Sequence, residues 1–169
     1  RLAPDALARM VAFLRASRSD LVSGVPRQIT GTFFERLLIP FIHFMLLAFL
    51  PFPRMRRTTK PAFAAGCGQV FLARAEGYHA AGGHAAIRRS LHDGIMLARA
   101  FRRAGLHTDL CDITPIATCR MYHGAREVLS GLLKNATEGM AGPVLIWIFS
   151  ALLFLGQVLP FILVAVLAA

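Results

Sequence analysis

One stretch decides much of the predicted fold: AGGHAAIRRSLHDGIMLARAFRRAG, residues 81–105. Ser90 is typical of a helix N-cap, and Asp93 three residues later occupies the capping-box position. Apolar residues then recur at helical spacing, namely Ile95, Met96, Leu97, Ala100 and Phe101. Gly105 is typical of the first position after a helix. The pattern predicts an amphipathic helix that follows a glycine break and begins beside a carboxylate.

Asp93 is the first candidate for chemistry because it stands where a loop enters this helix. A carboxylate in such a place can accept a proton as a general base. The alternative is structural, since the helix dipole stabilises a negative charge in the first turn without any further role. Spacing alone leaves both interpretations open.

The flanking sequence predicts a mixture of helices and strands. Residues 4–18 carry apolar positions at helical spacing, which are Leu7, Met10, Val11 and Leu14. Residues 20–26 and 62–73 favour strands, the second with glycines that let a backbone or a ligand approach closely. Residues 106–118 favour extended structure, and 125–138 a second amphipathic helix with Val128, Leu129, Leu132 and Leu133 on one side. The expected class is therefore α/β, in one domain over residues 1–138.

The apolar residues of the chain are clustered. Of its 169 residues, 56% are hydrophobic, which exceeds the roughly 45–50% of soluble chains. Residues 33–53 are mostly Leu, Ile and Phe, but charged residues and prolines keep the uninterrupted run below the ~20 residues of a spanning helix. We expect an interfacial or re-entrant helix there. A buried core helix is the alternative.

Basic residues follow that run directly: Arg54, Arg56, Arg57 and Lys60. Cations at this position suit lipid headgroups. The formal net charge of +10 would also suit a nucleic-acid binder. Because neither interleaved aromatics nor a known nucleic-acid motif accompanies the basic residues, the expected partner is a membrane and not nucleic acid.

Residues 139–169 carry no ionisable side chain. From about Pro143 onward they are long enough to cross a bilayer, and Trp147 lies near one end, where aromatic anchors are common. Pro160 could kink this helix or divide it. The sequence predicts a transmembrane segment over residues 139–169.

The cysteine and histidine patterns predict neither a disulfide framework nor a zinc site. Cys67, Cys111 and Cys119 are widely spaced and form no CxxC pair, which favours a reducing compartment. His79 and His84 are separated by two glycines that break any helix, so no metal is expected between them.

Four motifs occur in order along the chain: GCGQVFLAR (66–74), the stretch 81–105, CRMY (119–122) and GLLKN (131–135). Together they resemble the acceptor half of family 2 glycosyltransferases, most closely the hopene-associated branch found near bacterial hopanoid synthesis. The resemblance extends over nearly all of the chain. It implies the C-terminal, acceptor-side part of a GT-A nucleotide-diphospho-sugar transferase fold.

The resemblance also implies roles for particular residues. Asp93 matches the catalytic base, and His92 replaces the usual Glu beside it, for which we favour a structural role. Arg120 matches the Arg of a (Gln/Arg)-x-x-Arg-Trp motif that helps to hold the acceptor or the diphosphate, although the Trp does not carry over. A solvated surface cation is the alternative for Arg120. The expected substrate-binding residues are Gly66, Cys67, Gly68, Gln69, His92, Arg120 and Tyr122.

Relatives of this kind bind a divalent metal, Mg or Mn, through an Asp-x-Asp motif. In this branch the motif typically lies immediately before the segment that corresponds to Arg1-Leu2, and this chain contains none. Asp109 and Asp112 have a different spacing and follow the base. We therefore expect that the metal ligands and the donor-binding half precede residue 1, and that the chain alone is inactive.

The resemblance implies a membrane-associated, inverting hexosyltransferase that moves a sugar from a nucleotide-sugar donor to a lipid or hopanoid-like acceptor. The expected location is the bacterial inner membrane, with the catalytic part facing the cytoplasm. Two rivals remain: a non-catalytic membrane-anchoring or partner-binding module, and a processive polysaccharide synthase. The degraded Arg motif and the single predicted span count against the synthase.

Overall fold

Strand β1 is the centre of the main sheet in the computed structural model, which describes residues 1–90, 92–139 and 145–167. The described residues form these strands: β1 (Leu21–Val25), β2 (Arg27–Gln28), β3 (Phe71–Ala73), β4 (Thr108–Asp112) and β5 (Thr118–Cys119). β1 pairs antiparallel with β3 and parallel with β4, and β2 pairs parallel with β5 in a second, small sheet. The buried, apolar start of β1 is typical of a strand covered on both faces.

The described helices are α1 (Ala6–Ala16), α2 (Phe33–Phe49), α3 (Phe52–Arg57), α4 (Ala75–Ala80), α5 (Asp93–Arg103), α6 (Ala125–Gly139), α7 (Leu145–Leu153) and α8 (Leu159–Leu167). Short 3-10 turns lie at Pro61–Phe63 and His84–Ile87. This mixture of helix and sheet is compatible with the predicted α/β class. The chain divides into two compact units, Arg1–Ser130 and Gly131–Ala169.

Helix α5 supplies the centre of the first unit's core. Its Leu97, Ala98 and Phe101 are buried and pack with Leu21 of β1 and with Ile87. A second cluster joins Ala6 and Met10 of α1 to Ile113, Ile116 and Ala117. The helix predicted over residues 4–18 is confirmed at Ala6–Ala16, but Leu7 is 64% exposed, so its assignment to the apolar face was wrong.

The start of α5 differs from the prediction. His92, and not Ser90, is the N-cap, because the His92 Nδ1 accepts a hydrogen bond from the backbone N–H of Ile95 at 3.2 Å. The hydroxyl of Ser90 instead accepts from the backbone N–H of His92. An imidazole nitrogen can therefore take the capping place that small polar residues usually hold. At the other end, Gly105 has a φ of +77°, as the predicted position after the helix requires.

The strand predicted over residues 62–73 is much shorter in the structure. Only Phe71–Ala73 pair with β1, and Pro61–Phe63 form a 3-10 turn. Ser23 of β1 explains the difference, because its hydroxyl accepts from the backbone N–H of Cys67 at 2.7 Å and donates to the Cys67 carbonyl at 3.0 Å. The loop before β3 is thus bound to β1 by this side chain and by one backbone hydrogen bond, in which the N–H of Gly24 donates to the Val70 carbonyl at 3.0 Å, and not by a longer strand ladder.

Helix α2 carries its apolar side chains outward. Only Glu35 and Ile39 are buried in this 17-residue helix. The exposed large apolar side chains are Phe33, Phe34, Leu37, Phe41, Phe44, Leu47 and Phe49. The alternative of a buried core helix was therefore wrong. An apolar outer face beside a basic segment is the pattern of a helix that lies at a lipid interface.

One of the four basic residues after α2, Arg56, pairs with a buried carboxylate. The Arg56 Nε lies 3.0 Å from each carboxylate oxygen of Asp109, which is buried in β4. Arg56 therefore compensates a buried charge, while its side chain stays 54% exposed. Arg54 lies over the ring of Phe63 at 5.5 Å. Arg54, Arg57 and Lys60 are the other cations of the candidate lipid face.

The second unit contains one helical run that is long and apolar enough to span a membrane, Ile146–Leu167, with 22 residues and a mean hydropathy of 2.4. Pro160 does not divide it. A π-helical turn, Phe154–Val158, lies just before the proline and joins α7 to α8. Such a turn is a common accommodation where a backbone hydrogen bond is missing. The predicted start near Pro143 and the last residues, 168–169, lie outside the described residues.

Candidate functional site

The loop of residues 66–69 lies directly on the first turn of α5. A methyl group built on Gly68 would come 2.5 Å from the Oδ1 of Asp93, and one built on Gly94 would come 2.7 Å from the carbonyl oxygen of Gly66. A methyl group on Gly66 would clash with the carbonyl oxygen of Gly94. The three glycines therefore allow two backbones to touch. Of the two partners that the sequence left open for Gly66 and Gly68, a backbone or a ligand, the structure shows a backbone, that of the chain's own helix α5.

Asp93 stands at the surface, at the first residue of α5. Its Oδ1 accepts from the backbone N–H of Gly94 at 2.8 Å, and Gly68 lies beside it. An exposed carboxylate held against a loop in this way is open to a hydroxyl proton from a bound molecule. His92, with its ring nitrogen bonded to Ile95, fixes the helix start, which fits the structural role favoured for it.

Gln69 connects this loop to the segment of the predicted arginine motif. Its Oε1 accepts from the Gln28 Nε2 at 2.7 Å, and its Nε2 lies 3.0 Å from the sulfur of Met121. Met121 directly follows Arg120. The structure thus brings Asp93, the loop 66–69 and the Arg120 segment into one continuous series of contacts.

Arg120 has a partner that the sequence patterns did not predict. Its Nη2 lies 3.8 Å from the Oε2 of Glu35, which is completely buried, while Arg120 is 42% exposed. The signal was present, because Thr32 to Glu35 matches a Thr-x-x-Glu capping box. Thr32 is the observed N-cap of α2 and accepts from the backbone N–H of Glu35. Arg120 is therefore a surface cation, as in the alternative interpretation, but one with a buried carboxylate beside it.

Two of the expected substrate-binding residues are largely covered. Tyr122 is only 9% exposed, and desolvation raises the pKa of its phenol. Burial likewise raises the pKa of the Cys67 thiol, which lies 3.5 Å from the Oε1 of Gln69. A thiol with a raised pKa is a poor nucleophile at neutral pH. Neither the Cys67 thiol nor the Tyr122 phenol is therefore offered as a nucleophile or base at neutral pH.

The described residues bring together no group of three or more His, Cys, Asp or Glu that could hold a metal ion. His84 bonds the hydroxyl of Tyr78 at 2.8 Å, and Asp109 is engaged by Arg56. Mg or Mn would neutralise a departing diphosphate in the expected reaction. Because this part of the chain offers no fitting set of ligands, we derive no step through a metal.

Asp93, Gly68 and Arg120 are exposed, while Gly66, Cys67 and Gln69 are partly buried. A cavity of about 320 Å³ lies elsewhere, lined by Phe13, Ala16, Ser17, Ser19, Arg56, His107, Thr108 and Asp109. None of the predicted site residues lines it. All three cysteines lie in the described part of the chain and carry free thiols.

A matched pair of glycine substitutions separates loop packing from the chemistry at Asp93. Gly66→Ala places a methyl group against a backbone carbonyl that cannot move cheaply, so we expect a loss of about 1–3 kcal/mol in the free energy of unfolding. Gly68→Ala meets the flexible Asp93 carboxylate instead, so we expect a displaced side chain with little loss of stability. Urea unfolding of both variants measures the difference, and equal losses would contradict this packing.

Acid should lower the free energy of unfolding through protonation of Glu35. Hydrogen bonds, above all from the backbone N–H of Gly31, lower the pKa of this carboxyl from 4.5 to about 2. Because the pKa is lower in the folded state, the stabilisation is complete above about pH 4.5 and is lost as the pH falls towards 2. Unfolding measured across this range should show a steeper loss for the natural protein than for Glu35→Gln. If the stability of the natural protein and of Glu35→Gln fell equally with pH, the lowered pKa of Glu35 would be contradicted.

The chain is similar to the 4,4'-diaponeurosporenoate glycosyltransferases of Staphylococcus aureus strains USA300 and NCTC 8325 / PS 47. With each it shares 27% identity over 142 residues, which cover 78% of this chain and 37% of the relative. No family model and no solved structure matches the chain. The chain therefore spans little more than a third of these relatives. It is a distant relative of a glycosyltransferase.

Proposed function

We propose that the protein is a membrane-associated family 2 glycosyltransferase, of GT-A type, and that this chain supplies the acceptor side of its active site. The observation that carries the proposal is the placement of Asp93: an exposed carboxylate in contact with the loop 66–69, which in turn contacts the Arg120 segment. These are the motifs on which the resemblance rests. The distant glycosyltransferase relatives support the same class of reaction.

In the proposed reaction the carboxylate of Asp93 takes the proton of an acceptor hydroxyl, while the oxygen of that hydroxyl attacks the anomeric carbon of the sugar. The bond from that carbon to the diphosphate breaks, and the nucleoside diphosphate leaves with the bonding electrons. A single displacement of this kind inverts the anomeric centre. The half-exposed guanidinium of Arg120 can donate two parallel hydrogen bonds to an anionic group of the donor or of the acceptor.

The acceptor in this proposal is a lipid, such as a hopanoid-like molecule. Three features support it: the outward apolar face of α2, the cations Arg54, Arg57 and Lys60 that follow, and the helical run Ile146–Leu167. We propose the cytoplasmic face of a bacterial inner membrane as the location, which free thiols and a nucleotide-sugar donor both suit.

An acid acceptor is the second candidate. The relatives are named for 4,4'-diaponeurosporenoate, which is a carboxylate. A carboxylate needs no base before it attacks, whereas Arg120 suits it as a bidentate partner. The two acceptors therefore differ in how much they need Asp93.

The function is tested with membranes that contain the full-length protein. Radiolabelled UDP-glucose, UDP-galactose, UDP-N-acetylglucosamine and GDP-mannose are supplied in turn, and label is counted in the organic extract. We expect protein-dependent incorporation from at least one donor. Attachment to membranes without incorporation from any donor would favour a non-catalytic membrane module instead, and long insoluble polysaccharide would favour a processive synthase.

A further inference from the structure

Glu35 is a buried carboxylate in a helix whose apolar side chains face outward. Burying a carboxylate is costly unless its oxygens are satisfied. Its Oε2 accepts from the backbone N–H of Gly31 at 2.6 Å, and its Oε1 accepts from the Thr32 hydroxyl at 2.8 Å and from the backbone N–H of Gly124 at 2.7 Å. The carboxylate therefore joins the loop before α2 to the residue just before α6.

Arg120 lies beside this carboxylate with 42% of its side chain exposed. A methyl group built on Gly31 would come 2.6 Å from the Arg120 Nη2, so the absence of a side chain at Gly31 lets the guanidinium lie on the loop. The same Nη2 lies 3.8 Å from the Oε2 of Glu35. An arginine held along one edge keeps its other donors available to an anion.

The small sheet explains why these groups meet. β2 and β5 run parallel, with Gln28 opposite Cys119, and the backbone N–H of Ile29 donates to the Cys119 carbonyl at 2.7 Å. The segments that leave the two strands therefore start side by side. One of them leads to Gly31 and Glu35, and the other begins with Arg120.

We propose that Glu35 is a positioning residue, which holds the Arg120 guanidinium towards the substrate of the glycosyl transfer. This inference rests on the proposed function. It also links the orientation of Arg120 to α2, because Glu35 lies in the first turn of that helix. A merely structural Glu35 would contribute to stability but would leave the reactivity of Arg120 unchanged.

The test compares Glu35→Gln with the natural full-length protein in two measurements. The first is labelling of Arg120 by phenylglyoxal, located by mass spectrometry, with the exposed Arg126 as internal reference. We expect faster labelling of Arg120 in the variant and unchanged labelling of Arg126. The second is sugar transfer, for which we expect kcat/KM to fall at least about tenfold. Glu127→Gln, which removes an exposed carboxylate, is the matched control and should change neither.

A second variant keeps the test decisive if Glu35→Gln does not fold. Gly31→Ala retains the carboxylate but pushes the guanidinium away, so it should also change Arg120 labelling and lower transfer. The positioning role would be overturned if Arg120 were labelled in both variants at the same rate as in the natural protein. It would also be overturned if the labelling changed while sugar transfer did not. If the natural protein transfers no sugar from any donor, the proposed function fails, and the labelling alone then decides whether Glu35 holds Arg120.

Discussion

Asp93→Asn is expected to lower sugar transfer by the full-length protein about 10²–10⁴-fold, the range by which general bases accelerate reactions. The amide keeps the size of the side chain but cannot take up the acceptor proton. Asp93 is exposed and contributes no buried contact to the core, so folding and membrane attachment should be unchanged. Initial rates and sedimentation with membranes, measured on the same preparations, check both parts.

The control for this prediction is Asp5→Asn, which removes an exposed carboxylate that pairs with Arg9 across one helical turn. It should retain full activity. An active Asp93→Asn protein would remove Asp93 as the base for a hydroxyl. If the product of that active variant were an ester, the acid acceptor would be favoured, because a carboxylate attacks without losing a proton.

Arg102→Met is expected to destabilise the first unit by about 3–5 kcal/mol, because several buried acceptors lose a charged donor at once. Arg102 is 2% exposed, and burial lowers the pKa of its guanidinium. It donates to the carbonyls of Met55 and Thr58 and to both oxygens of Thr108. One side chain of α5 thus ties the end of α3 to β4. Urea unfolding of the purified protein in detergent measures the loss.

Arg103→Met provides the matched control, since Arg103 is the exposed neighbour in the same helix. This substitution should change the free energy of unfolding little. Arg102→Lys should be intermediate, because an ammonium group cannot reach acceptors on three sides as a guanidinium does. Equal losses for the Arg102→Met and Arg103→Met variants would show that the buried hydrogen bonds contribute nothing to stability.

Periodicity predicted the elements that bury one continuous face. α1 and α5 carry apolar residues at helical spacing, and β1 is a short apolar run between a helix and a Gly-Val-Pro turn. The apolar run near the C-terminus was equally clear, because composition alone identifies a helix of that length. These patterns are local, so no knowledge of distant contacts was needed.

Features that depend on distant contacts could not be predicted in this way. Gly66, Gly68 and Gly94 make a backbone contact between segments that are not adjacent in sequence, and the pattern was equally compatible with a ligand. The ion pair of Arg56 could not be predicted either, because its partner Asp109 lies 53 residues further along the chain, in β4. Glu35 looked like an interruption of an apolar helix, although its partners come from two loops.

The most direct measurement is an experimental structure of the full-length Asp93→Asn protein with a bound sugar-nucleotide donor. We expect that the anomeric carbon faces residue 93 across a gap that one acceptor group can fill, with Arg120 at the border of the site. A sugar bound elsewhere, for example in the cavity beside Phe13 and His107, with residue 93 in open solvent and out of its reach, would contradict it.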